Sequence, residues 1–166
     1  MVAVMKEDVF IRKMMVADLS QVCAIAKASF PDPWTEQAFY QELVHNPCAY
    51  YWVLAEQRRI LGYVGTWFVV DEGQVTNIAV DANERGQGWG EKLLKHSMKE
   101  LKKLGAEEMT LEVRLSNQRA QSLYRKVGFV SKGIRPRFYK VCPEDAMIMW
   151  VSLNEETNNT RHRNKL

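Results

Sequence analysis

The chain has little of what staples, tethers or strongly charges a protein. Its 166 residues hold three cysteines, Cys23, Cys48 and Cys142, widely spaced and without a Cys-x-x-Cys pair. An odd, scattered set argues against a disulfide framework and for reduced thiols. The three histidines, His45, His96 and His162, never sit at ligand spacing with a cysteine, so no metal site is expected. No run approaches the ~20 apolar residues of a membrane span, so no membrane contact is expected. Acid and base already occur at Lys6, Glu7 and Asp8, a poor match to a secretory leader. A formal charge of +3, from 23 basic and 20 acidic residues, is too mild for a nucleic-acid surface. These absences together lead to the expectation of a cytoplasmic protein.

What is present is a globular composition, 46% hydrophobic and 26% charged. The length suits one domain, expected over residues 1–153, with a polar, disordered tail over 154–166. Val9–Met14 reads as a strand. Asp18 is expected to cap a helix carrying Leu19, Val22, Cys23, Ile25 and Ala26 on one side. Two prolines break the chain at Phe30-Pro31-Asp32-Pro33-Trp34, and Thr35 caps a second helix to about Val44. Tyr50–Glu56 and Ile60–Val70 read as a hairpin, and Val75–Val80 as a further strand. From Gly88 to Leu104 apolar residues recur at spacings of three and four with lysines opposite, and Gly105 closes that helix. Met109–Arg114 is a strand, Asn117–Lys126 a short helix capped by Asn117, Gly128–Ser131 opens a strand, and Ala146–Leu153 is the last. This order predicts an α/β (α+β) fold, a mixed sheet with helices on both faces.

Arg85-Gly86-Gln87-Gly88-Trp89-Gly90 lies between a strand and the long helix. Alternating glycines let the backbone turn its N–H groups toward one point, where the helix also aims its positive end. Arg85 adds a donor fork suited to phosphate. A pyrophosphate cradle and a merely flexible loop ahead of a helix both satisfy this pattern. The spacing is not the G-x-G-x-x-G of dinucleotide folds, nor is it a Walker A loop.

Arg85, Gly88 and Gly90 do fill the fixed places of Q/R-x-x-G-x-G/A. The chain thereby resembles the GCN5-related N-acetyltransferases, and the element order matches that family from Val9 to Leu153. Further segments, Asn77-Ile78-Ala79-Val80, Leu111-Glu112-Val113-Arg114, Leu123-Tyr124 and Glu144-Asp145-Ala146, are similar to the bacterial ribosomal-protein-alanine N-acetyltransferases. The resemblance implies a mostly antiparallel sheet of about seven strands flanked by four helices. It implies acetyl-CoA as co-substrate, held by Ile78, Ala79, Val80, the segment Arg85–Gly90 (Arg85, Gly86, Gln87, Gly88, Trp89, Gly90) and Asn117. The acceptor it implies is a protein N-terminus, usually the alanine of protein eighteen of the small ribosomal subunit. Lysines, other N-termini or a small amine are the alternative acceptors. No nucleic acid partner is expected, and the protein is read as a monomer or weak homodimer.

Two side chains carry the candidate chemistry. Glu112 sits mid-strand, where a carboxylate is costly unless paired or functional. A salt bridge to Arg114 or another neighbour is an equal reading on sequence alone; the resemblance makes Glu112 the general base. Tyr124 reads as a half-buried aromatic, which the resemblance turns into the acid that protonates the departing thiolate. Phe30, Trp34 and Tyr139 are implied to flank the acceptor. Arg135, Arg137, Tyr139 and Lys140 read as a charged loop between the last two strands. Trp67 reads as a packing residue, and Met147, Met149 and Trp150 as core.

Overall fold

A computed structural model describes residues 8–154; residues 1–7 and 155–166, the latter nearly all of the expected tail, lie outside the described residues. In chain order the elements are β1 (Val9–Lys13), α1 (Leu19–Ser29), α2 (Glu36–His45), β2 (Ala49–Glu56), β3 (Arg59–Val69), β4 (Glu72–Val80), α3 (Trp89–Leu104), β5 (Glu108–Arg114), α4 (Gln118–Val127), β6 (Val130–Tyr139) and β7 (Glu144–Ser152). The strands form one sheet in the order β1-β2-β3-β4-β5-β7-β6, with β4 and β5 its only parallel pair among the described residues. That pair needs a crossover, which α3 supplies. Among the described residues no helix is long and apolar enough to cross a membrane.

The unbroken apolar run of β2 follows from burial on both faces. Tyr51, Val53 and Ala55 face the core beneath α1 and α2, while Trp52 and Leu54 face the core beneath α3. Leu93, Leu94 and Leu101 of α3 are fully buried, as their spacing predicts, and Gly105 ends the helix at φ +111°. Thr35 accepts the Ala38 N–H at 3.1 Å, the expected cap of α2.

Two expectations need correction. Asp18 does not cap α1 with its side chain. It accepts the Met15 N–H at 2.8 Å and both Arg12 guanidinium nitrogens at 2.7 and 2.8 Å, closing a 3₁₀ turn and tying β1 to it. Burial alone would raise its pKa, but the Arg12 bonds and the Met15 N–H overcome this and hold it below the ordinary carboxylate value. The charged segment after Gly133 is also not a loop: β6 carries it, through Arg135 and Arg137 to Tyr139. The sequence hides this strand because two irregularities interrupt its register on β7, between Ser131 and Gly133 and between Arg135 and Tyr139, with Arg137 at φ +53°.

The central irregularity is in β4. Asn77 pairs with Gly65 and Val75 with Thr66, so Thr76 has no partner opposite and forms a bulge. Just before it β4 leaves β5. The parallel pairing covers only Glu72–Gln74 against Glu108–Thr110, after which Leu111–Arg114 pair with β7 alone. The sheet is split at its centre from this point on.

Beside the bulge, Tyr51 lies across the strand from Gly65, and a Cβ built on Gly65 would land on the Tyr51 ring. Gly65→Ala is therefore expected to lower unfolding stability by about 3 kcal/mol, the upper end for overpacking a dense core. The shift of the denaturant midpoint measures it.

Candidate active site

The split in the sheet is lined by two clefts. The first, about 500 Å³, lies against the edge of β4, the N-terminus of α3 and the start of α4. The Asp81 N–H bonds Leu61 O at 2.8 Å and so faces β3. Strand alternation then turns the N–H and carbonyl of Val80 outward, into this cleft. Ile78, Ala79, Val80, Arg85, Gly86, Gly88, Trp89, Gly90 and Asn117 all line it, whereas Gln87 does not and turns its amide to Glu84 at 3.1 Å. Gly86 and Gly88 sit at φ +82° and +83°, and a Cβ on either would meet nothing within 4 Å. The turn thus needs glycine for its backbone, and open space lies in front of it. Within α3 the first amide satisfied by the helix is that of Lys92, bonded to Gly88 O at 3.1 Å. The amides before it have no acceptor inside the helix and can serve an anion.

Arg85 is less free than a phosphate fork would be. Its Nε donates to Val80 O at 3.2 Å and an Nη to Ser29 Oγ at 3.1 Å, pinning the end of α1 to β4. Trp89 packs its ring on the core with Lys92 Nζ 5.6 Å from its centroid. The Trp89 Nε1 is buried and has no hydrogen-bond partner among the described residues.

The second cleft, about 670 Å³, lies on the other side of the split between β4, β5 and the β6–β7 turn. Trp34, Trp67, Gln74, Glu112, Arg135 and Tyr139 line it. On β5, Met109, Leu111 and Val113 are buried on one face, so alternation brings Glu112 and Arg114 to the other, facing this cleft. Glu112 accepts a hydrogen bond from Gln74 Nε2 at 3.1 Å and lies 3.7 Å from an Arg135 nitrogen. The neighbour that pairs with it is therefore Arg135, not Arg114. Gln74 is held opposite by the last register pair of β4 with β5, a non-local match that local patterning does not reveal. Trp67, expected only to pack, lines this cleft and donates Nε1 to Glu42 at 2.6 Å, and Trp34 rests on Phe39 with centroids 5.5 Å apart.

Phe30, Ile78, Asn117 and Tyr124 line both clefts. Asn117 also caps α4, accepting the Ala120 N–H at 3.1 Å, the cap that the sequence predicts. Tyr124 lies on α4, packed on the opposite side of the sheet from Glu112, and no hydrogen bond acts on its hydroxyl among the described residues. Burial, then the nearby Tyr139, push the Tyr124 phenol well above its ordinary pKa. Tyr139 is pushed up to about 12, mainly by burial and against the Arg114 cation. Both are neutral proton carriers at physiological pH. A carboxylate on one side and a protonated phenol on the other can take and give a proton across one reacting atom.

A model of the acetyltransferase (GNAT) family matches residues 19–129. A Bacillus subtilis protein, provisionally named as a [ribosomal protein bS18]-alanine N-acetyltransferase, is 43% identical over 151 residues, covering 91% of this chain and all of that one. The [ribosomal protein bS18]-alanine N-acetyltransferase of Escherichia coli K12 is 33% identical over 146 residues, 87% of this chain and 97% of that one. The crystal structure of the Escherichia coli ribosomal-protein-S18-alanine N-acetyltransferase superposes with a TM-score of 0.81 at 32% identity, over 89% of this chain and 95% of that one. Ard1 of Thermoplasma volcanium has the same TM-score, 0.81, at 23% identity and 89% coverage of this chain, a likeness of fold.

The isolated Tyr124 hydroxyl supports a direct expectation. Tyr124→Phe should leave unfolding free energy within about 0.5 kcal/mol of the parent, since no bond is lost. A structural hydroxyl would instead cost about 1 kcal/mol. Chemical denaturation of the two proteins separates these outcomes.

Proposed function

The chain belongs to the GNAT family of acetyltransferases, and we propose that it transfers an acetyl group from acetyl-CoA to the N-terminal α-amino group of a protein, with the N-terminal alanine of ribosomal protein bS18 as acceptor. The observation that carries this reading is the pair of clefts meeting at Tyr124, Asn117, Ile78 and Phe30. One is fitted for a long anionic donor and the other for an acceptor. Relatives at 43% and 33% identity, each covered over nearly its whole length, support the choice of acceptor. With that acceptor the protein works in the cytoplasm.

The residues of the first cleft fit coenzyme A. The open glycine turn, the unsatisfied amides of α3 and the outward N–H of Val80 offer donors to pyrophosphate and to an amide-rich arm. Acetyl-CoA, when bound, supplies an acetyl group already activated as a thioester. Ile78–Val80 orient that arm by main-chain pairing, and the Val80 N–H is placed to hold charge on a carbonyl oxygen. Arg85 and Ser29 brace the strand end against α1.

In the second cleft Glu112 takes the proton of the α-amino group, directly or through a water. An α-amine with a pKa of ~7.7–8.0 is already partly neutral near pH 7, so a carboxylate suffices as base. Gln74 fixes the carboxylate and leaves its second oxygen toward Arg135. Tyr124 holds its proton until negative charge builds on sulfur beside it, because burial keeps the phenol neutral. The wall that the two clefts share supports direct attack with both substrates bound. Phe30, Trp34 and Tyr139 enclose the acceptor end.

Peptides that begin with alanine should release free thiol from acetyl-CoA, and the same peptides blocked at the N-terminus should not; equal rates would refute an α-amine acceptor. Glu112→Gln should lower kcat about a hundredfold at pH 7, with a smaller loss at pH 9, where the amine is deprotonated without help. The steady-state pH profile of the variant measures this, and parent-like turnover at pH 7 would remove Glu112 from proton transfer.

A further inference from the structure

Arg114 ends β5 and belongs to neither half of the proposed proton path, yet it is among the most engaged side chains in the second cleft. One Nη donates to Cys142 O at 2.7 Å and the other to Val141 O at 2.8 Å. Asp32 lies 3.7 Å away and Glu144 3.6 Å away, and the guanidinium carbon stands 4.2 Å from the centroid of the Tyr139 ring. The side chain is 14% exposed. These contacts come from two separate walls. Asp32 belongs to the segment between α1 and α2 that carries Phe30 and Trp34, whereas Tyr139 ends β6, Glu144 begins β7, and Val141 and Cys142 lie in the turn between them.

Other bonds hold the two ends of the turn, Ser116 to Glu144 at 2.6 and 2.8 Å, the Arg137 N–H to Asp145 at 2.8 Å and Lys140 Nζ to Arg137 O at 2.8 Å, and Arg114 serves its tip. Cys142 sits at φ +46° and Arg137 at φ +53°, conformations that L-residues adopt at a cost. Register with β7 is lost between Arg135 and Tyr139. The two carbonyls that Arg114 satisfies lie at the tip, where no strand partner reaches them. A planar fork meets two carbonyls and an aromatic face at once; a lysine ammonium in the same place is a point charge that cannot.

We propose that Arg114 is a positioning residue for the acceptor, a clamp that fixes the β6–β7 turn against the Asp32 segment before the peptide arrives. This rests on reading the second cleft as the acceptor groove. A groove ordered in the free protein spares the peptide the entropy of ordering it, so loss of the clamp falls on acceptor binding. The first cleft, which Arg114 does not line, is spared.

The test compares the parent, Arg114→Lys, Asp32→Asn and the double variant in the full chain. Arg114→Lys should raise KM for an alanine-starting peptide about tenfold while KM for acetyl-CoA stays within about twofold. Asp32→Asn should raise peptide KM less, and the double variant no more than Arg114→Lys, because both act through one clamp. Amide hydrogen exchange in the free proteins should quicken over residues 138–142 in Arg114→Lys and not over the amides of α3. Equal rises in both KM values, additive effects of the two changes, or unaltered exchange over 138–142 would overturn the clamp. If the parent acetylates no free-alanine peptide, the proposed function fails, and the exchange comparison alone then decides for or against Arg114.

Discussion

Everything functional in this fold depends on two parallel strands parting company. β4 and β5 share three register pairs, the last at Gln74, and part just before the Thr76 bulge. Buried sheets resist such a split, because each lost pair leaves main-chain N–H and carbonyl groups without partners. Here the chain fills the loss on one side only. β5 keeps β7 as its partner to Arg114, while the edge of β4 from Ile78 to Val80 is left facing open space. That unpaired edge can receive a ligand with amides of its own, and the split lets side chains from opposite sheet faces approach one point. Glu112 comes from one face and Tyr124 from the helix packed on the other.

The bulge is itself held in place. The Thr76 hydroxyl lies 3.0 Å from the Tyr51 hydroxyl, which lies 3.4 Å from Glu42, and Glu42 also accepts from Trp67 and Asn46. Tyr63 adds a bond from its hydroxyl to Asn77 at 2.8 Å, one residue beyond the bulge. Burial raises the pKa of both tyrosines, so their hydroxyls remain bound donors over the whole working range. A polar network under α2 thus maintains the irregularity on which both clefts depend, and a partly satisfied network would not hold it so firmly.

Local chemistry was readable from the chain. The glycine turn, the caps at Thr35 and Asn117, the apolar stripe of α3 and the doubly buried β2 all follow from spacing of three and four, alternation of two, or a single capping side chain. The order of elements yields the fold class, and together with the Arg85, Gly88 and Gly90 motif it carries the family resemblance. What escaped was non-local or irregular. Gln74 meets Glu112 only through a parallel register spanning the crossover, and Arg135 reaches it only from the far side of β7. Asp18 looked like a helix cap because its true partner, Arg12, is on the preceding strand. The second half of β6 looked like a loop because its bulges erase the period of two. The contacts of Arg114 are hidden for the same reason: its partners are carbonyls of a turn whose path no pattern encodes.

The irregular β6 has a consequence for solubility. It is the strand at one edge of the sheet, ten residues long, with apolar Val130, Ile134 and Phe138 exposed. A straight strand of that kind would template pairing with a second molecule edge to edge. Two register breaks, Pro136 without an N–H, and the cations Lys132, Arg135 and Arg137 deny it a continuous ladder of donors. The distortions that shape one wall of a groove thereby also keep the rim of the sheet from acting as a seed for aggregation.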